Sequence, residues 1–147
     1  MLAAVPEQRS AESGSIAART GPSLRPWSYR VAGAASSRPA VELYESGSLI
    51  DVVSSARLSP QLLRGARAAN IPAGPRVLAW GRIPLAGGLP AVYFGRGRMR
   101  RFRVEAPLIA ISGWCWLAIA DGRFDAVTVQ CGRAGVRSQL RVSRSWR

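Results

Sequence analysis

The run Ala106–Ala120 carries no charge in fifteen residues and leads directly into Asp121-Gly122. A membrane-spanning helix needs about 20 apolar residues, and this run is broken by Pro107, Ser112 and Gly113. An Asp-Gly pair between apolar segments is a strong signal for a two-residue hairpin turn. The run is therefore read as strand rather than as a membrane span, with Trp114–Ala120 pairing against Arg123–Gln130. In that register Trp116 and Trp114 oppose Val127 and Val129, and Leu117 and Ile119 stand against Ala126 and Phe124. Both faces of such a hairpin are partly apolar, which an isolated hairpin cannot sustain. It has to be central in a sheet, covered by helices, or packed against a partner. Cys115 falls opposite Thr128 with Cys131 on the other face, so no intrachain disulfide and a reducing compartment are expected.

Upstream, Arg76–Ile83 reads as a strand, Leu85–Pro90 as a turn and Ala91–Phe94 as a short strand. Gly95–Arg98 is a glycine-broken loop. In Met99–Glu105 the alternation of Phe102, Val104 and Ala106 with Arg101, Arg103 and Glu105 predicts a half-buried strand. Residues 48–70 carry a helical pattern. Ser48 and Asp51 form a capping-box-like start, and Leu49, Val52, Val53 and Ala56 share one helical face. Ser59-Pro60 restarts a helix through Leu62, Leu63, Ala66 and Ala69, ended by Asn70 and Pro72. This is read as an αα-hairpin covering a sheet, in preference to a helix-turn-helix that reads DNA. Val136–Val142 alternates as a strand.

The expected fold is α+β: a disordered N-terminal tail, a short helical hairpin, then a small antiparallel β-meander of hairpins. The domain spans 41–143, behind an Ala/Ser/Arg/Pro-rich tail over 1–40 and ahead of a frayed end at 144–147. The tail's five arginines and seven serines resemble a transit peptide in composition, but Pro6, Glu7 and Glu12 interrupt an amphipathic basic helix.

All 21 cationic side chains are arginine, and the chain contains no histidine or lysine. That excludes histidine-based triads, HExxH zinc sites, Walker-type loops and Schiff-base lysines. Two cysteines without CxxC spacing leave no zinc set. The carboxylates Glu42, Glu45, Asp51, Glu105, Asp121 and Asp125 each sit where a plainer role is available. No enzyme, cofactor or metal is expected.

The formal charge of +13 is unevenly placed. Residues 1–75 hold eight arginines and five acids, and residues 76–147 hold thirteen and three. Arg96, Arg98, Arg100, Arg101 and Arg103 form the densest cluster, and Arg137 and Arg141 share a strand face near the C-terminus. Guanidinium forks match phosphate oxygens and stack on bases. Trp80, Tyr93, Phe102 and Trp146 are candidate stacking rings. The expected function is a small, basic, non-enzymatic binder of RNA or DNA phosphates, with little sequence selectivity and with a protein or ribonucleoprotein partner as a variant of that reading. Its location would be cytoplasmic, nucleoid or nuclear, with mitochondrial placement allowed by the tail. Two alternatives stand beside it. One is a membrane-associated protein using 106–120 with its flanking arginines. The other is a GC-rich reading frame with no selected function, since Ala, Gly, Pro and Arg make up close to half of the residues.

Overall fold

The computed structural model describes residues 23–56, 61–85, 88–97 and 102–132, and the backbone of 138–141 and 143–144. All regular structure among them is strand. The strands are β1 (Trp27–Ala32), β2 (Ala40–Glu45), β3 (Ser48–Ser54), β4 (Gly65–Ile71), β5 (Gly74–Arg82) and β6 (Ala91–Gly95). They continue as β7 (Arg103–Ala106), β8 (Leu108–Ile111), β9 (Cys115–Asp121), β10 (Ala126–Gln130), β11 (Ser138–Arg141) and β12 (Ser143–Arg144). Three sheets result, in the orders β1-β2-β3, β12-β4-β5-β9-β8 and β11-β10-β6-β7.

The five-stranded sheet lies between the other two, because the alternation of strand side chains buries both of its faces. Leu78, Trp80, Leu117, Ile119, Ile111 and Cys115 join Trp27, Val41, Leu43 and Val53 of the three-stranded sheet in one core. Their sequence neighbours Val77, Ala79, Trp116 and Ala118, with Ala66, join Val92, Phe94, Val127 and Val129 of the four-stranded sheet in a second. Tryptophans hold both cores: burying one removes roughly 150–250 Å² from water, or about 4–6 kcal/mol at ~25 cal/mol/Å². Each buried or half-buried indole N–H also finds an acceptor: Trp27 on Glu45, Trp80 on Asp51, Trp114 on the Val53 carbonyl and Trp116 on the Leu62 carbonyl.

The five- and four-stranded sheets join at both edges. One residue, Pro107, separates β7 from β8, and one residue separates β11 from β12. Each pair is thus a single run of chain that leaves one sheet and enters the other, the usual way a sandwich turns a corner. Pro107 has no N–H to donate and sits where the ladder is interrupted. The result is a closed ring in the order β4, β5, β9, β8–β7, β6, β10, β11–β12. An odd ring cannot alternate direction throughout, so one neighbouring pair has to run parallel. That pair is β12 with β4, through Ser143↔Arg67 and Arg144↔Ala68.

This all-β architecture overturns the α+β expectation. Among the described residues, the stretch 48–70 forms β3 and β4 and no helix. Ile50, Val52 and Val53 are β-branched, stiff at χ1 and suited to a pleated surface. Ser46-Gly47, at φ 47° and 82°, turns β3 back on β2 as a two-residue hairpin. The small residues of β4 serve packing rather than helix propensity: a Cβ on Gly65 would lie 2.4 Å from the Trp80 ring, and Ala66 is buried in the narrow interior shared with Trp116 and Phe94.

The Asp121-Gly122 hairpin is also corrected. Strand β9 pairs with β5 and β8, whereas β10 pairs with β6 and β11. Residues 121–125 therefore carry the chain between sheets, with the Gly122 N–H donating to the Pro75 carbonyl at 2.8 Å. The apolar run folds on itself instead, from Leu108↔Ala118 to Ile111↔Cys115, around Ser112 and Gly113 at φ 53° and 81°. Its two apolar faces do lie in the centre of a sheet, but strand layers cover them in place of helices. Cys115 stands opposite Arg82 and Ile111 rather than Thr128, and both cysteines are free thiols. At the ends, β1 lies inside the stretch read as a disordered tail, and Arg144 pairs within the stretch read as frayed. Residues 1–22 and 145–147 lie outside the described residues.

Candidate nucleic-acid interface on the open sheet

The arginines divide by position. Four of them face the seam between the three-stranded and five-stranded sheets and hold it together. Arg64 forms a two-bond fork on Asp51, with Nε to Oδ2 at 2.9 Å and Nη2 to Oδ1 at 2.9 Å. Trp80 Nε1 donates to the same carboxylate at 2.7 Å. Arg67 reaches Glu45 at 3.1 Å beside the Trp27 indole, which donates to the other oxygen at 2.9 Å. Arg82, buried, donates to the carbonyls of Ser54, Ser55 and Ala56 and so fixes the chain as it leaves β3. Arg76, also buried, spans Asp121 and the carbonyls of Ser23 and Arg25 ahead of β1. Burial alone would push the Asp51 carboxyl up. The bonds from Arg64 and Trp80, the Arg64 charge and the Val52 N–H outweigh it and hold the group below its usual range.

A fourth ion pair lies on the surface, where Arg30 contacts Glu42 at 2.6 Å and Tyr44 donates its hydroxyl to the same carboxylate at 2.5 Å. The Tyr44 hydrogen bond first, and Arg30 second, lower the Glu42 pKa. Glu42, Glu45, Asp51 and Asp121 are thus occupied in structural pairs.

The outer face of the four-stranded sheet differs. Its inner face supplies Val92, Phe94, Val127 and Val129 to the core, and no second layer covers its outer face among the described residues. Pairing across the sheet sets up two lateral rows there. Gly95 stands opposite Arg103 on one side and Ala126 on the other, and Ala126 stands opposite Arg141. The first row therefore reads Arg103, Gly95, Ala126, Arg141, two arginines about 14 Å apart (three strand spacings of about 4.8 Å) with small residues between. The second row, one pleat away, reads Glu105, Tyr93, Thr128, Gln139.

Arg103 lies over the Tyr93 ring, its guanidinium carbon 4.5 Å from the centroid. At the sheet end, Arg96 donates through Nε to the Arg123 carbonyl and lies 5.7 Å over Phe124. Phe124 in turn packs on Phe94, with centroids 5.8 Å apart. Asp125 accepts the Gly97 N–H with both oxygens, at 2.9 and 3.1 Å, and so anchors the chain between β6 and β7. Arg96, Arg103 and Arg123 are exposed. Among the described residues, neither Arg96 nor Arg103 has a carboxylate within ion-pair distance.

Of the candidate residues, the fold brings Arg103 and Arg141 into one row and sets Arg96 beside it, just past the end of β6. Arg98, Arg100, Arg101 and Arg137 lie outside the described residues. Arg123 belongs to the same end and was missed in the sequence, because the mispaired Asp-Gly turn assigned it to a strand. Of the candidate rings, Trp80 is core, Tyr93 lies on the open face, Phe102 is 72% exposed, and Trp146 is outside the described residues. The expected half-buried strand is thus corrected at its start: only Ala106 is buried, while Phe102 and Val104 face solvent. No group of three metal-ligating side chains occurs among the described residues, and no helix among them is long and apolar enough to cross a membrane. Comparison of the chain with protein families, with curated proteins and with solved structures finds no match.

Proposed function

We propose that the chain is a small, strongly basic, non-enzymatic protein that binds RNA or DNA phosphates through the open face of its four-stranded sheet. The observation that supports this is the division of the arginines. Those at the layer seam are each consumed by carboxylate or carbonyl oxygens, whereas among the described residues Arg103 rests on the Tyr93 ring and Arg96 spends its Nε–H on the Arg123 carbonyl beside the Phe124 ring, so that both keep N–H groups to meet an anion. A guanidinium stacked on a ring is held in place at a cost of few hydrogen bonds, so its edge remains available to phosphate. Arg141 extends the same row, and the connection between β6 and β7 adds Arg98, Arg100 and Arg101 by sequence. The apolar run 106–120 forms β8 and β9, and its buried residues join the two cores.

Binding of this kind releases counterions and weakens steeply with salt. A mobility-shift series from low to physiological salt should show that dependence. Arg96→Ser and Arg103→Ser should each lower the slope of log affinity against log salt by about one. Arg30→Ser, which removes an equal charge already paired with Glu42, should leave the slope unchanged. Affinity indifferent to salt, or unaffected by serine at Arg96, Arg98, Arg100, Arg101 and Arg103 together, contradicts the assignment.

A further inference from the structure

Resting on that reading, we infer that the ligand is a single-stranded nucleic acid laid across the strands, with its phosphates on the arginine row and its bases on the row beside it. The two rows are one same-face step apart, about 6.7 Å along the strands, and their chemistry differs. The first has arginine at Arg103 and, by register, at Arg141, with Gly95 and Ala126 between them, so that backbone can approach closely. The second offers groups suited to bases. Tyr93 supplies a ring and Thr128 a hydroxyl, and Gln130, one same-face step further along β10, adds an amide beside the row. Glu105 stands at the rim opposite Tyr93, where a carboxylate accepts from base amines and repels phosphate.

Every base has a π-face, and stacking on aromatic rings or on guanidinium planes is the general means by which single strands are held. The Arg103–Tyr93 stack presents both surfaces at one point, where the rows adjoin. Groove reading of a duplex requires a helix or a two-stranded ribbon that enters about 12 Å of major groove. The base-stacked interior of a duplex would leave Tyr93 and Thr128 unused. A single strand uses both rows.

Fluorescence anisotropy with labelled 12-nucleotide RNA, the matching DNA strand and the matching duplex, at one salt concentration, tests this. Either single strand should bind at least about tenfold more tightly than the duplex, and the sugar bound more tightly names the source. Tyr93→Leu should weaken single-strand binding about five- to hundredfold, the range measured for loss of one stacked base. The salt slope should not change, because every arginine keeps its charge, and duplex affinity should fall less than single-strand affinity. Tyr93→Phe, which keeps the ring, should bind as the wild type does, and an unaltered thermal midpoint for Tyr93→Leu shows that the sheet is intact. Equal or tighter duplex binding, or no effect of Tyr93→Leu, overturns the single-strand inference and leaves phosphate binding standing. No binding of any of the three overturns both.

Discussion

Asp51→Ala removes one carboxylate that receives four N–H groups: two from Arg64, one from Trp80 and the backbone N–H of Val52. Trp80 is 5% exposed, and its indole N–H would lose its acceptor. A buried donor left without a partner costs about 1–3 kcal/mol. Arg64 is about a quarter exposed and can turn toward Gln61 and solvent, so its share is smaller, about 1 kcal/mol. The expected loss is thus about 3 kcal/mol, a large part of the 5–15 kcal/mol typical of a folded domain. With a urea m-value near 2 kcal/mol/M, the unfolding midpoint followed by tryptophan fluorescence should fall by about 1.5 M. Asp51→Asn keeps one acceptor for either Trp80 or Arg64 and should lose about half as much. In a double-mutant cycle with Arg64→Ala, the two losses should fall short of additive by about 1 kcal/mol. A midpoint shift under about 0.3 M, or full additivity, refutes the view that this carboxylate clamps the layers. The pH dependence gives a further check. Because the folded pKa of Asp51 is depressed, its contribution is present above the unfolded value near 3.9. It is lost as pH falls through the lower folded value. The gap between wild type and Asp51→Ala should stay level from pH 7 to pH 5 and close below about pH 4.

Two further outcomes are expected. Gly81→Ala would place a Cβ 1.9 Å from the Leu62 carbonyl oxygen and 2.8 Å from the Trp116 ring. Displacing that backbone breaks the Trp116–Leu62 hydrogen bond of 3.0 Å, so the variant should lose about 3 kcal/mol or more; a thermal midpoint within about 2 °C of wild type would contradict the packing. Burial pushes the Cys115 thiol up to about 12, with the Asp51 charge adding to it against Arg64 and Arg82. A thiol reagent at pH 8 should therefore count one reactive cysteine, Cys131, in the native protein and two after denaturation. A native count of two would show that the core around Cys115 opens readily.

The sequence carried the strand content of its second half and the need to bury both faces of 114–120, because period-two alternation is a local property. It misled wherever two local signals competed. Leu49, Val52, Val53 and Ala56 fit a helical stripe, yet Ile50, Val52 and Val53 are the residues that favour a pleat, and the neighbouring Ser46-Gly47 turn decided the matter. Two Ser-Gly pairs, at 46–47 and 112–113, make hairpin turns that the chain announces only as ordinary turn dipeptides. Asp121-Gly122, a stronger signal on paper, joins two sheets because β9 already has partners on both sides. Which strands share a sheet is a long-range fact, and no spacing in the chain encodes it. The same holds for the candidate site. The density of arginine near residue 100 was legible, but which arginines are consumed at the layer seam depends on Asp51, Glu45, Asp121 and five backbone carbonyls brought close only by folding.

The parallel pairing of β12 with β4 has a consequence for the order of assembly. Parallel ladders are slightly less stable per residue than antiparallel ones, and this one is two residues long. It is also made from the last strands described, so during synthesis the remainder of the ring exists before it can shut. Until residues 138–144 emerge, β4 and β10 each expose an unpaired edge, the template on which strands of other molecules add. A chain cut ahead of Ser138 would lose more than a terminal segment: it would be an open sheet with two adhesive borders, and its solubility rather than its secondary structure would report the loss.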